Sequence, residues 1–224
     1  MEFKPDSAIN FFSGASVALK NLITKLGSEF LMQPGEVLME QGDEGDTFYV
    51  VLSGALEISV MSSDGRKLSL NVAHKGDVIG EIALFDPGPR TATVRARERS
   101  RIRGVKNADV MNALVRSPEL MAELIRLAGR RLRWMGHQLS EQVFLPLPAR
   151  LARKIQHLTA HNMDARPVLP LSQMELAEFT GASREAVSKT LAGWSREGHV
   201  KMTRGALQVL NRDAMEKIAE FSLF

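Results

Sequence analysis

Between about Phe30 and Val105 the apolar residues fall in short runs: Val37-Leu-Met39, Phe48-Tyr-Val-Val-Leu52 and Leu56-Glu-Ile-Ser-Val-Met61. Polar, glycine-bearing breaks separate them at Gln33-Pro-Gly35, Gln41-Gly-Asp-Glu-Gly-Asp46, Ser53-Gly54 and Ser63-Asp-Gly65. Runs of that length, with no helical period between them, predict strands folded as a sandwich or jelly-roll barrel. From Ser117 the period changes. Ser117 can cap a helix, Pro118 suits its first turn, and Glu119 favours its positive end. Met121, Ile125, Ala128, Leu132, Met135, Leu139 and Gln142 then recur at alternating steps of four and three. That heptad seam predicts a long helix pairing in parallel with a second copy through residues 121–142. Phe144-Leu-Pro-Leu-Pro-Ala149 breaks the helix with two prolines and reads as a hinge. A helix from about Ala149 to Ala160 and a loop from His161 to Pro170 follow.

The next stretch carries strong local signals. Ser172 and Glu175 have capping-box spacing, so a helix should begin at Gln173, with Leu176, Ala177 and Phe179 facing inward. Gly181 supplies a tight turn, and Ser183 caps a second helix with Val187, Leu191 and Trp194 on one face. Two short helices joined by a glycine turn form a helix-turn-helix. The second helix presents Arg184, Glu185, Ser188 and Lys189 on its other face; arginine reads guanine O6 and N7, and glutamate accepts from cytosine N4. Val200 to Leu210 reads as a hairpin around Thr203-Arg-Gly205, a wing whose Lys201 and Arg204 can reach phosphates.

Charge supports that reading. Of 29 Lys+Arg and 26 Asp+Glu, residues 1–145 hold 18 of each, so the net +3 falls on residues 146–224. The absence of cysteine excludes disulfides, thiolate nucleophiles and cysteine-held metals. No apolar run nears the roughly 20 residues needed to cross a bilayer, and the N-terminal residues lack a secretory layout. A cytoplasmic protein with no membrane partner is the expectation. His74 is the only histidine before residue 137, which argues against a metal-dependent jelly-roll enzyme; His74 reads as a turn residue. His157 and His161 are four apart but lack a third ligand, and read as surface residues. Arg95, Arg97, Arg99, Arg101 and Arg103 alternate as along one strand and read as a solvated face.

The stretch Gly80-Glu-Ile-Ala-Leu-Phe-Asp-Pro-Gly-Pro-Arg-Thr-Ala-Thr-Val94 has the residue types of an anion cradle. A short helical turn starting at Gly80 points free N–H groups at an anion, and Arg90 adds a charged fork. Strand module, long helix, hinge and winged helix resemble, in that order, the catabolite activator protein (CRP/FNR) family of bacterial transcription regulators. Gly45-Asp-Thr-Phe-Tyr-Val-Val-Leu-Ser-Gly54 and Gly76-Asp-Val-Ile-Gly-Glu81 look like its turn and strand signatures, and residues 80–94 like its phosphate-binding cassette.

The resemblance implies an α+β fold: a cyclic-nucleotide-binding jelly-roll barrel (1–116), a dimerisation helix (117–145) and a winged helix-turn-helix (146–224). It implies that Glu81 accepts from a ribose 2′-hydroxyl and that Arg90 pairs with the cyclic phosphate. Thr91 and the N–H groups of Ile82 and Ala83 would complete the cradle beside Gly80. A purely structural alternative makes Glu81 and Arg90 an ion pair. On the DNA side the implied set is Ser172, Gln173, Ser183, Arg184, Glu185, Ser188, Lys189, Lys201 and Arg204. The function implied is a homodimeric, non-enzymatic regulator of pseudo-palindromic DNA, gated by cyclic AMP or cyclic GMP and in contact with RNA polymerase. Two positions depart from the family. Where its cyclic-AMP receptors place a Thr-Ser pair, this chain has Met135 and Gly136, and Lys189 replaces a second arginine. The first departure leaves open a cyclic dinucleotide, a haem-bound gas or activity without ligand.

Overall fold

Each β-run named above crosses to a different layer from the one before it. The computed structural model describes residues 11, 12, 14–160, 164 and 166–220. Helix α1 (Val17–Lys25), capped by the Ser16 hydroxyl on Leu19 N–H, precedes strands β1 (Ser28–Met32), β2 (Val37–Met39), β3 (Thr47–Ser53) and β4 (Leu56–Met61). Strands β5 (Lys67–Ala73) and β6 (Val78–Ile79), the one-turn helix α2 (Ile82–Phe85), β7 (Thr93–Ala96) and β8 (Ser100–Lys106) follow. One sheet runs β1-β8-β3-β6 and the other β2-β7-β4-β5, with antiparallel pairing throughout. The expected sandwich or jelly-roll is present as two facing sheets of jelly-roll type, not joined edge to edge among the described residues. Except for β4 and β5, which are neighbours in one sheet, successive strands change sheet, and the turn from β3 to β4 needs glycine. Gly54, at φ 93°, connects β3 to β4, and a Cβ there would fall 2.2 Å from Ser100 Oγ.

Apolar residues from both sheets meet between them, among them Met32, Val51 and Ile102 from one and Met39, Leu56 and Val94 from the other. A second core lies where helices cover the first sheet. Leu19 and Ile23 of α1 and Leu84 of α2 pack there with Val110 and Leu114 of α3 (Asn107–Leu114). Leu124 and Leu127 of α4 (Pro118–Phe144) complete it. Of these helices α4 and the cassette turn α2 were expected, and α1 and α3 were not.

The chain divides into two units, residues 1–65 with 70–136 and residues 66–69 with 137–224. In the second, α5 (Leu147–Thr159) begins earlier than expected. Pro146 is its N-cap and Pro148 sits in its first turn, so the break is confined to the residues around Pro146. A first-turn proline loses no hydrogen bond and presets φ. Helices α6 (Gln173–Thr180) and α7 (Arg184–Arg196) follow, and β9 (Val168–Leu169), β10 (Val200–Thr203) and β11 (Ala206–Val209) form a sheet ordered β10-β11-β9. Helix α8 (Arg212–Ala219), absent from the sequence reading, packs on α5. Among the described residues no helix is long and apolar enough to cross a membrane.

Two stability predictions follow from the second unit. Ser172 Oγ accepts from Glu175 N–H, and the Glu175 carboxylate accepts from Ser172 N–H at 2.8 Å, completing the capping box. Ser172→Ala should therefore cost about 1 kcal/mol, measured as a lower urea midpoint with an unchanged slope. Lys154 of α5 lies with Nζ 5.4 Å from the Phe179 ring. Burial pushes its ammonium down to about 8, with the Glu141 carboxylate opposing the shift. Below that value the folded chain carries a charge it disfavours. Between about 8 and the ordinary 10.5 the unfolded chain binds more protons, so stability should rise with pH across that window. Lys154→Met should remove the slope and stabilise the chain at pH 7 by on the order of 1–3 kcal/mol, as denaturant titrations at several pH values would show.

Candidate functional site

The cassette turn begins at Gly80, whose φ of 78° a side chain would strain. Glu81 caps α2 without a side-chain cap bond, which leaves its carboxylate to face elsewhere. Ala83 is buried and Ile82 exposed, and a single helical turn leaves its first N–H groups without helical partners. Arg90 is threaded in from the far side of the loop. Its N–H donates to Asp43 O at 2.7 Å and its carbonyl accepts from Gly42 N–H at 2.8 Å, fixing the loop at that point.

The guanidinium is deeply set. Arg90 is 7% exposed, Nη2 donates to Thr47 O at 2.6 Å, and the group lies 5.9 Å from the Tyr49 ring centre. Nη1 is buried with no partner. Two glycines make the room: a Cβ on Gly45 would fall 2.1 Å from Arg90 Nε, and one on Gly80 2.7 Å from Nη1. A buried cation with an unmet donor is costly unless an anion completes it.

Glu81, 6% exposed, does not pair with Arg90. Its partner is Arg131 of α4, at 3.3 Å, so the ion pair proposed as the structural alternative is replaced by a different one. Arg131 also stacks on Trp134, 4.5 Å from its ring centre. Arg131, Gly45 and Thr47 were all missed from sequence. The adjacent Arg130-Arg131 pair was the available signal, but nothing local links it to a carboxylate fifty residues earlier. Met135, 47% exposed, and Gly136, with open space around it, follow one turn beyond Arg131. Thr91 is exposed.

The heptad seam needs correction. Met121 and Ala128 pack on the N-terminal core, and Gln142 Nε2 donates to Thr180 O at 3.2 Å. The exposed apolar stripe runs instead through Ile125, Leu132, Met135, Leu139 and Val143. The first turns of α4 are needed to close its own unit's core, which rotates the free face away from residues 121 and 128.

In the second unit the helix-turn-helix forms as read. Gly181 ends α6 at φ 62°, Ser183 Oγ caps α7 on Ala186 N–H, and Leu176, Phe179, Val187, Leu191 and Trp194 are buried. Arg184, Glu185 and Lys189 are exposed and Ser188 is half-buried, while Ser172 and Gln173 open α6. Glu185 is held below the usual carboxylate range by its own backbone N–H and then by the Ser183 hydroxyl, so it stays an acceptor. Thr203 pairs with Ala206 across the turn Arg204-Gly205, leaving Lys201 and Arg204 exposed on the wing.

The arginine series does not share one strand. Arg95 lies in β7 of one sheet, Arg101 and Arg103 in β8 of the other, and Arg97 and Arg99 in their connection. Arg103 binds Glu29 and Thr24 O, Arg101 pairs with Glu29, and Arg95 donates to Gly35 O, which makes them sandwich ties. His74 is a turn residue, its carbonyl accepting from Asp77 N–H. His157 lies in the last turn of α5; His161 is outside the described residues. Among the described residues no three His, Cys, Asp or Glu side chains cluster as metal ligands.

Comparison with known proteins agrees with both units. Residues 30–117 match the cyclic nucleotide-binding domain, and residues 149–218 the Crp-like helix-turn-helix domain. The CRP-like cAMP-activated global transcriptional regulator of Mycobacterium tuberculosis is 27% identical over 213 residues, covering 93% of this chain and 95% of that protein. A CRP/FNR-family regulator from Thermus thermophilus aligns at TM-score 0.73 and 25% identity, covering 86% of this chain and 98% of its own. The c-di-GMP responsive global regulator of Xanthomonas campestris shares the fold at TM-score 0.72 and 20% identity, covering 87% and 99%. These are binding modules and regulators, which sets the enzyme reading aside. With a nucleotide-binding domain before a Crp-like helix-turn-helix, the chain belongs to the CRP/FNR family of transcription regulators.

Proposed function

We propose that the chain is a homodimeric, sequence-specific DNA-binding regulator whose N-terminal unit takes a cyclic purine nucleotide, cyclic AMP or cyclic GMP. One observation carries the ligand assignment: the buried Arg90 guanidinium presents an unmet Nη1 donor beside a one-turn helix with free N–H groups. A cyclic phosphate supplies the missing acceptors. Glu81, held by Arg131, is the acceptor for a ribose hydroxyl, and Gly80, Ile82, Ala83 and Thr91 complete the cradle. The division into residues 1–116, 117–145 and 146–224 is retained.

Dimerisation is assigned to the exposed stripe of α4, whose apolar side chains need cover. That pairing would set two α7 helices about one DNA turn apart, roughly 34 Å, over a pseudo-palindromic site. Arg184, Glu185, Ser188 and Lys189 would read bases, and Ser172, Gln173, Ser183, Lys201 and Arg204 would meet the backbone. RNA polymerase is the expected further partner, and the cytoplasm the compartment. Met135 and Gly136 offer no hydrogen bond to a base edge, which supports a second reading in which the effector is a cyclic dinucleotide, as named for the Xanthomonas relative.

Calorimetry with cyclic AMP, cyclic GMP and cyclic di-GMP tests the site. One should bind, and Arg90→Ala should abolish binding without lowering the melting temperature; unchanged affinity rejects the cassette. On DNA, selection from random sequence should enrich an inverted repeat. Arg184→Ala should then lose about 1–3 kcal/mol of discrimination at one base pair. Lys201→Ala should weaken all sequences alike and reduce the salt slope by about one.

A further inference from the structure

A one-turn helix has few backbone partners for its carbonyls. In the cassette, Asp86 N–H closes on Ile82 O at 3.0 Å. The next carbonyl, that of Ala83, would need the N–H of residue 87, which is a proline. Asn107, the first residue of α3, supplies the donor: its Nδ2 lies 2.8 Å from Ala83 O. Its own N–H donates to Asp46 O at 2.7 Å. Asp46 precedes Thr47, whose carbonyl holds Arg90 Nη2. Asn107 is 7% exposed and its Oδ1 has no partner. Only the donor half of the amide is used.

We propose that Asn107 is a positioning residue for the anion cradle, bridging the turn that presents the Ile82 and Ala83 N–H groups to the loop that anchors Arg90. It does so without touching the ligand. Pro87 creates the requirement, because it stiffens the loop toward Arg90 while depriving Ala83 of a backbone partner. Losing the Asn107 donor leaves a buried carbonyl unmet and frees the turn to rotate its N–H groups off the phosphate. This rests on the reading of residues 80–91 as a phosphate cradle.

Asn107→Asp tests it, being isosteric. Ionised, the new side chain sets an acceptor against Ala83 O; protonated, it donates again. Cyclic AMP, cyclic GMP and cyclic di-GMP would be titrated into the full chain, its Arg90→Ala variant and its Asn107→Asp variant at pH 8 and pH 5. At pH 8, Asn107→Asp should bind at least about tenfold more weakly than the unmodified chain, and at pH 5 most of that gap should close. Hydrogen exchange should quicken in residues 82–86 and not in the α3–α4 core. Should the variant not fold, Asn107→Ser, whose hydroxyl is too short to reach, should show the same loss at both pH values. Equal affinity of Asn107→Asp and the unmodified chain, with Arg90→Ala inactive, overturns the role of Asn107 alone. So does a pH-independent loss accompanied by faster exchange throughout the unit, the mark of a general packing role. If the unmodified chain binds none of the three nucleotides, or Arg90→Ala binds as it does, the cradle reading fails and takes this role with it.

Discussion

A buried guanidinium with one donor unmet is the constraint around which the N-terminal unit is arranged. Arg90 could be satisfied by a carboxylate, and Glu81 is near in sequence and equally buried, yet the two do not meet. Glu81 is instead drawn to Arg131, and Arg90 keeps a backbone carbonyl, a distant aromatic face and the through-space attraction of Asp46. An internal Glu81–Arg90 pair would remove the penalty and close the site. In the proposed reading, separating the two charges keeps the site costly when empty and rewards an anion that arrives with its own acceptors.

Much of the surrounding sequence serves that separation. Gly45 and Gly80 keep side chains out of the space Arg90 occupies. The Asp43 and Gly42 bonds latch the loop segment carrying it. Pro87 and Pro89 restrict the loop between the turn and the arginine. A rigid loop loses little entropy when the ligand binds, so more of the electrostatic gain survives as affinity.

What could be read from the sequence divides along the same line as local and non-local contacts. The helix-turn-helix was legible almost residue by residue, because Ser172, Glu175, Gly181 and Ser183 act on backbone groups within four positions. The cassette was legible as a run of residue types for the same reason. The pairing of Glu81 with Arg131 was not, since it depends on where α4 crosses the unit. Nor was the split of the arginine series between β7 and β8, because a chain changing sheets keeps its alternation in sequence while losing it in space. The helices α1, α3 and α8 were passed over because they are short and their periods brief. The jelly-roll class was legible from strand count and turns, whereas pattern does not say whether the outer edges of the two sheets meet.

The long helix shows how one element accommodates two demands. Its early turns carry Leu124 and Leu127 into the core, and the same face, one turn on, carries Arg131 to Glu81. The neighbouring stripe from Ile125 to Val143 is left bare. A helix so committed on one side cannot rotate to improve the other without withdrawing Arg131 from Glu81 or exposing Leu127. In the proposed reading, a nucleotide engaging Glu81 acts on the residue that sets the rotation of α4. The bare stripe turns with it, so ligand occupancy and the pairing of two helices are linked through a single ion pair and need no longer pathway.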